Sequence, residues 1–229
     1  AFSLLPVIEW VLGSVDMNLS GQNLPLIMLA TVNAVIPIFL ILSLGDLITD
    51  EYVTGTLKLS LLHPVSRTKL LTAKLLAHIV PVLLLLFAGM MAAYVIGTLL
   101  FGWGEQLVVN ENVFSSGTGI LITVGSYISS ILPLMVFAAV ILFICLQFQS
   151  GGAAVGSSIG LLLLLSVLGQ LVENSRPYLI TTYFHEFPRQ LFLAGDTGNM
   201  ITGLLVMIAY GVCAYFGSIV IFKKKDLLY

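Results

Sequence analysis

Three of the 229 residues are histidines, and one of them opens a spacing with catalytic precedent. His185-Glu186-x-x-Arg189 has the first half of the His-Glu-x-x-His arrangement, in which two imidazoles one helical turn apart hold zinc and the glutamate acts as base. Arg189 stands where the second imidazole must be, and a guanidinium is no metal ligand, so a structural or interfacial role is expected. Intramembrane hydrolysis needs paired acids and histidines at bilayer depth, and the predicted spans hold only His78, close to one helix end. No G-x-x-x-x-G-K-[ST] phosphate loop occurs, so the chain is expected to bind no ATP in that manner, to need no cofactor of its own and to catalyse nothing.

Other polar positions fit a pathway through a membrane. Asn33, Gln147, Gln149 and Gln170 are candidates to line one, with Pro37, Pro81 and Pro133 able to free backbone carbonyls inside helices. Hydrogen bonding between helices is the commoner role for each, and none names a substrate. Gly152, Gly156 and Gly160 recur every four residues, forming a small-residue stripe that serves contact within one chain or between two chains. Cys145 and Cys213 both fall in predicted spans as small apolar packing residues, with no disulfide or metal framework.

The segment richest in information runs from Gly45 to Leu71. Thr49 is expected to cap a short helix with Asp50 and Glu51 in its first turn, suited to the positive end of the helix dipole, and His63-Pro64 closes it. Ser66 then caps a second helix in which Arg67 and Lys69 oppose the dipole, so membrane orientation or a partner accounts for them better than helix stability. Gly55, one turn after Glu51, lets another surface approach closely.

The elements that must position these residues follow from charge. Only 9 % of the chain is charged, where a soluble domain carries about 25 %, and 59 % is apolar with a mean hydropathy of +1.09. Charge-free windows at 17–45, 75–104, 112–172 and 197–222 are long enough to cross a bilayer. The third is divided by the polar, Gly-bearing Gln147-Phe148-Gln149-Ser150-Gly151-Gly152. The expectation is an all-α polytopic membrane bundle with five complete spans at 24–45, 74–100, 119–146, 151–171 and 200–222.

Lys58, Arg67, Lys69, Lys74 and Lys223 to Lys225 lie on one side, which the positive-inside rule makes cytoplasmic, leaving only Arg176 and Arg189 outside. The cytoplasmic side then holds a short helix at 47–63 and a tail at 223–229, and the outer side a polar loop at 101–117. A second outer loop, 173–199, is amphipathic, expected to lie on or dip into the interface as short helices broken at Pro177 and Pro188. Residues 1–13 read as the end of a further span or an interfacial piece, implying six helices in the parent protein with both ends inside. A net charge of −2 disfavours nucleic-acid binding, and the surrounding partner is membrane lipid.

Glu51-x-x-x-Gly55-Thr56-Leu57, followed by Leu61-Leu62-x-Pro64-x-Ser66-Arg67 and Lys74, resembles the cytoplasmic signature of ABC-2-type transporter permeases, the six-helix membrane subunits of export-type ABC systems. The resemblance implies that the short helix is a coupling helix docking on an ATP-binding subunit, with Glu51, Gly55 and Thr56 at the matching positions and Asp50 and Arg67 flanking them. It further implies two permease copies and two ATP-binding subunits that hold ATP and Mg. The work would be export of an antimicrobial peptide, drug, lipid or ion across the plasma membrane. A non-transport assembly or signalling component with the same fold is the alternative.

Overall fold

In hydrocarbon an unpaired backbone N–H or C=O costs several kcal/mol, so the apolar stretches of this chain must close their hydrogen bonds as helices. The computed structural model describes residues 20–53, 67–109, 112–148, 150–194 and 197–224. These form α1 (Leu24–Val53), α2 (Arg67–Ala77), α3 (Ile79–Phe101), β1 (Gln106–Val109), β2 (Asn112–Ser115), α4 (Ser116–Ser129), α5 (Ile131–Cys145), α6 (Gly151–Leu171), α7 (Tyr183–Arg189) and α8 (Thr197–Lys224). Two 3-10 turns, Glu173–Tyr178 and Ile180–Thr182, lead into α7, and a π turn, Gln190–Ala194, leaves it.

Among the described residues, five segments are long and apolar enough to cross a membrane: Leu24–Asp46, Thr68–Phe101, Ser116–Cys145, Gly151–Leu171 and Gly198–Phe222. The chain is therefore a polytopic helical bundle, as expected. The second and third segments are each interrupted, at His78 and at Ser130. Both interruptions have one cause. Pro81 and Pro133 lack an N–H and crowd the carbonyl four residues back, that of Ala77 and Ser129 respectively, so the regular ladder stops there. It resumes from His78 and Ser130, whose carbonyls accept from the amides of Val82 (3.2 Å) and Leu134 (3.3 Å). Pro37 leaves no such break, and α1 stays helical across it.

Three expectations change. The first helix does not end near Gly45 to let Thr49 cap a new one at 47–63. It runs unbroken to Val53, so Asp50 and Glu51 occupy its last turn. An established helix adds a hydrogen bond per residue, and no proline intervenes to stop it. The polar loop at 101–117 contains a β-hairpin, with Leu107 opposite Phe114 and Val108 opposite Val113, so the chain is not wholly α-helical. Leu107 is buried on Ile122, with Leu26, Phe114 and Phe192 around them, while Val113 faces outward, the alternation a half-buried strand requires. Pro188 does not break its helix either, since α7 runs through it before the π turn. Short helices do form across 173–199, but where an interfacial loop is expected Leu179, Ile180, Tyr183, Phe184 and Phe187 join the main core of the bundle, while Tyr178 stays exposed.

At the centre lies α5, packed against α1, α6 and α8, with Leu134, Phe137, Ala138, Ile141, Leu142 and Cys145 buried. Cys213 is exposed, and both cysteines are free. Ser150 caps α6 by accepting from the Ala153 amide at 3.4 Å, which fixes the tight turn expected after α5. Where helices meet, glycine sets the spacing. A Cβ on Gly45 would fall 2.5 Å from Val155 Cγ2, and the β-branched valine cannot swing aside. Gly45→Ala is therefore expected to lower stability in detergent by about 1–3 kcal/mol. Gly156→Ala, where a Cβ would meet nothing within 4 Å, leaves the chain at least as stable. Equal unfolding midpoints for the two variants would show that α1 and α6 are not in close contact.

Candidate functional site

Two residue groups carry the site: the chain on either side of 54–66, and a buried polar node halfway along α1. Beyond Asp46, the exposed last residue of the first apolar segment, α1 continues for seven residues to Val53, about 10 Å at 1.5 Å per residue. The backbone of Asp50 and Glu51 lies on this extension. Gly55 and Thr56 fall outside the described residues, as do residues 1–19, and Arg67 opens α2 where the chain returns.

Both flanks of that segment are tied down. His78 is buried at the joint of α2 and α3, its Nδ1 2.8 Å from the Lys74 carbonyl and its Nε2 3.0 Å from Ser43 Oγ on α1. A carbonyl only accepts, so Nδ1 donates to it, while Nε2 pairs with the Ser43 hydroxyl. On α2, Thr72 Oγ1 donates to the Thr68 carbonyl at 2.8 Å and lies 2.7 Å from Tyr215 Oη of α8. The short helix after 54–66 is thus fastened to α1 through the His78 joint and to α8 through Thr72. Sequence reading placed His78 near its helix end but missed Ser43, Thr72 and Tyr215, since a serine, threonine or tyrosine in an apolar run carries no signal of its partner.

The second group gathers around Asn33, which is fully buried. Its Nδ2 donates to the Phe184 carbonyl at 2.6 Å and to Ser130 Oγ at 3.0 Å. Both acceptors exist because of prolines. Pro188 supplies no N–H to Phe184, four residues earlier, and Ser130 sits at the interruption before Pro133. The Ser130 hydroxyl donates in turn to the Ser126 carbonyl at 3.0 Å. Asn33 therefore joins α1, the α4–α5 joint and the inward-dipping α7.

The other pathway candidates do not gather with it. Gln147 is exposed, its amide donating to the Phe143 carbonyl of its own helix at 3.3 Å, and Gln149 lies outside the described residues. Gln170 is exposed at the far end of α6, about 30 Å from Ser150. Gly152, Gly156 and Gly160 are exposed, and a Cβ at any of them would meet nothing within 4 Å. Among the described residues, nothing of the chain packs on this stripe. His185 is exposed on α7 and Arg189 follows it on the same short helix. Nearby, burial and then Glu186 push the Tyr183 phenol up, so it keeps its proton and donates to the Pro177 carbonyl at 2.6 Å.

Asn33→Leu is expected to cost about 1–3 kcal/mol by leaving the Phe184 carbonyl bare. Pro188→Ala would return an N–H to that carbonyl, so Asn33→Leu should cost measurably less in a Pro188→Ala background. A double-mutant cycle of unfolding in detergent reads the difference, and strict additivity would refute the shared carbonyl.

"Uncharacterized protein YhcI" of Bacillus subtilis (strain 168) is 24 % identical over 202 residues, 83 % of this chain. The match spans 64 % of that relative's own length. Residues 6–228 match the family described as "Protein of unknown function (DUF2705)", and the chain belongs to that family.

Proposed function

We propose that the chain is the membrane subunit of an ATP-driven exporter of the ABC-2 type. Two copies enclose a pathway across the plasma membrane, and two separate ATP-binding subunits, with their ATP and Mg, dock at the cytoplasmic end beside the carboxyl terminus. The observation that carries the reading is the run Glu51-x-x-x-Gly55-Thr56-Leu57 directly after a span, continued by Leu61-Leu62-x-Pro64-x-Ser66-Arg67. Its setting supports it. The helix of the first span extends past the apolar segment to Val53, and α2, which receives the chain, is fastened to α1 and α8. A push on 54–66 by a closing ATPase dimer would reach three helices at once.

The roles follow by position. Glu51, with Asp50 beside it, supplies charge for a basic groove on the ATPase, Gly55 and Thr56 allow close approach, and Arg67 marks the return to the membrane. Apolar walls with few fixed charges suit an antimicrobial peptide, a drug, a lipid or an ion. In vesicles holding the chain with its ATP-binding subunit, Glu51→Ala should cut ATP-driven efflux about tenfold, the loss of about one charged contact, and Gly55→Trp should cut it by at least about as much by blocking close approach, both at unchanged expression. Normal efflux with full ATPase stimulation in both variants would overturn the coupling role. An intact complex that moves no substrate would favour the assembly or signalling alternative.

The second copy has its own support. Gly152, Gly156 and Gly160 form an exposed stripe with nothing among the described residues within 4 Å of a Cβ at any of them, a surface on which another backbone can settle closely without an aqueous hydrophobic effect. Gly156→Leu and Gly160→Leu should each weaken self-association, while Leu162→Ala, which packs inward on the core, should not. Cross-linking and co-purification of tagged and untagged copies measure this, and parent-like dimers in both glycine variants would place the seam elsewhere.

A further inference from the structure

The polar node at Asn33 has two atoms without partners. Asn33 Oδ1 and Ser126 Oγ are both buried and neither has a hydrogen-bond partner, while their residues are 0 % and 1 % exposed. The amide cannot be turned over to improve matters, because that would set Oδ1 against the Phe184 carbonyl, oxygen to oxygen, at 2.6 Å. The Ser126 hydroxyl is unusual in another way. Among the described residues, the other four buried serine and threonine hydroxyls, those of Thr123, Ser130, Ser158 and Ser218, each donate to the carbonyl four residues back. That bond is the default for serine and threonine in an apolar helix, and Ser126 has given it up.

Ser130 links the two residues, its hydroxyl accepting from Asn33 Nδ2 and donating to the Ser126 carbonyl. Asn33 and Ser126 therefore belong to one hydrogen-bonded cluster, and the needs of their unpartnered atoms are complementary: Oδ1 needs a donor, and a hydroxyl can donate or accept. Pro133 adds a backbone acceptor in the same turn by withholding an N–H from the Ser129 carbonyl. A buried site with two or three such atoms fits a small molecule that both donates and accepts, and buried waters of this kind satisfy the groups that proline leaves open in membrane helices.

We infer that Asn33 Oδ1 and Ser126 Oγ hold one buried water molecule at the α1, α4–α5 and α7 junction. The water donates to Asn33 Oδ1 and accepts the Ser126 hydroxyl proton, leaving its second hydrogen for a backbone carbonyl. It makes the bend at Ser130 a hydrated joint inside an otherwise apolar bundle.

The deciding variant is Ser126→Ala, a small change that removes only the hydroxyl. If the water is there, the substitution lowers the apparent Tm in detergent by about 2–4 °C, and the same change made on Asn33→Ala has little further effect. If the hydroxyl is a true orphan, Ser126→Ala leaves Tm unchanged or raises it, which overturns the proposal. Radiolytic labelling in heavy-oxygen water gives a readout that does not require Asn33→Ala to fold. Phe184, whose carbonyl lies at the node, should take up label in the parent and lose it in Ser126→Ala. An unlabelled Phe184 in the parent would refute the site.

Discussion

A carbonyl deprived of its N–H partner within a bundle of this apolarity has to be answered by a side chain, and that requirement organises the structure around Asn33. Pro188 bares the Phe184 carbonyl, and the Asn33 amide, 151 residues away in sequence, meets it at 2.6 Å. The same amide meets Ser130 at the interruption Pro133 imposes. Without that pair of donated bonds α7 would have reason to turn out toward water, where its carbonyl could be solvated. With them it stays inside, and Tyr183, Phe184 and Phe187 fill the space between α1, α5 and α8. The edge-on contact of Phe184 with Phe137, ring centroids 5.4 Å apart, is a consequence of that placement.

Packing elsewhere follows from the weakness of the hydrophobic effect between surfaces that lipid already covers. Helices gain from meeting only if they meet closely, so glycine is spent where backbones approach: Gly45 on Val155, Gly89 on Val32, Gly203 on Tyr183. In each case an added Cβ would sit under 3 Å from its neighbour. Against that pattern, three glycines at one helix face with nothing above them are out of place in an isolated chain. Their cost in helix propensity, up to about 1 kcal/mol each, has no return within these described residues.

Composition made the five apolar segments legible because a charge at bilayer depth is costly, and α6 was bounded correctly because Ser150 and the glycines after it mark a helix start. The rest failed for identifiable reasons. Hydropathy cannot tell lipid from protein interior, so Tyr183, Phe184 and Phe187 read as interfacial anchors although they are core. The alternation of exposed Val113 with Phe114, which packs beside buried Leu107, spans too few residues to outweigh the polar setting of 101–117. Pro37, Pro81 and Pro133 each free a backbone carbonyl, yet only Pro81 and Pro133 coincide with an interruption, a difference that residue type alone does not carry. Asn33 stood out as polar, while its partners on two distant segments left no trace in local spacing. For the coupling positions the sequence motif remains the argument, since Gly55 and Thr56 lie outside the described residues.

The two groups of the site share one element. Asn33 and Ser43 lie ten residues apart on α1, about 15 Å along a helix that continues to Val53. Between them sits Pro37, which withholds an N–H from the Asn33 carbonyl, so the helix is weakest just beyond the node that holds it most firmly. On the proposed reading, force arrives at the Val53 end and enters α1 directly and through the Ser43–His78 contact. A rod fixed at Asn33 and pushed beyond Ser43 yields at Pro37 before it slides, because sliding would break two buried hydrogen bonds while bending there gives up none of the ladder that proline has not already removed. On that reading an axial push at the Val53 end becomes an angular change of α1 below Pro37, and the close Gly45–Val155 contact carries it to α6.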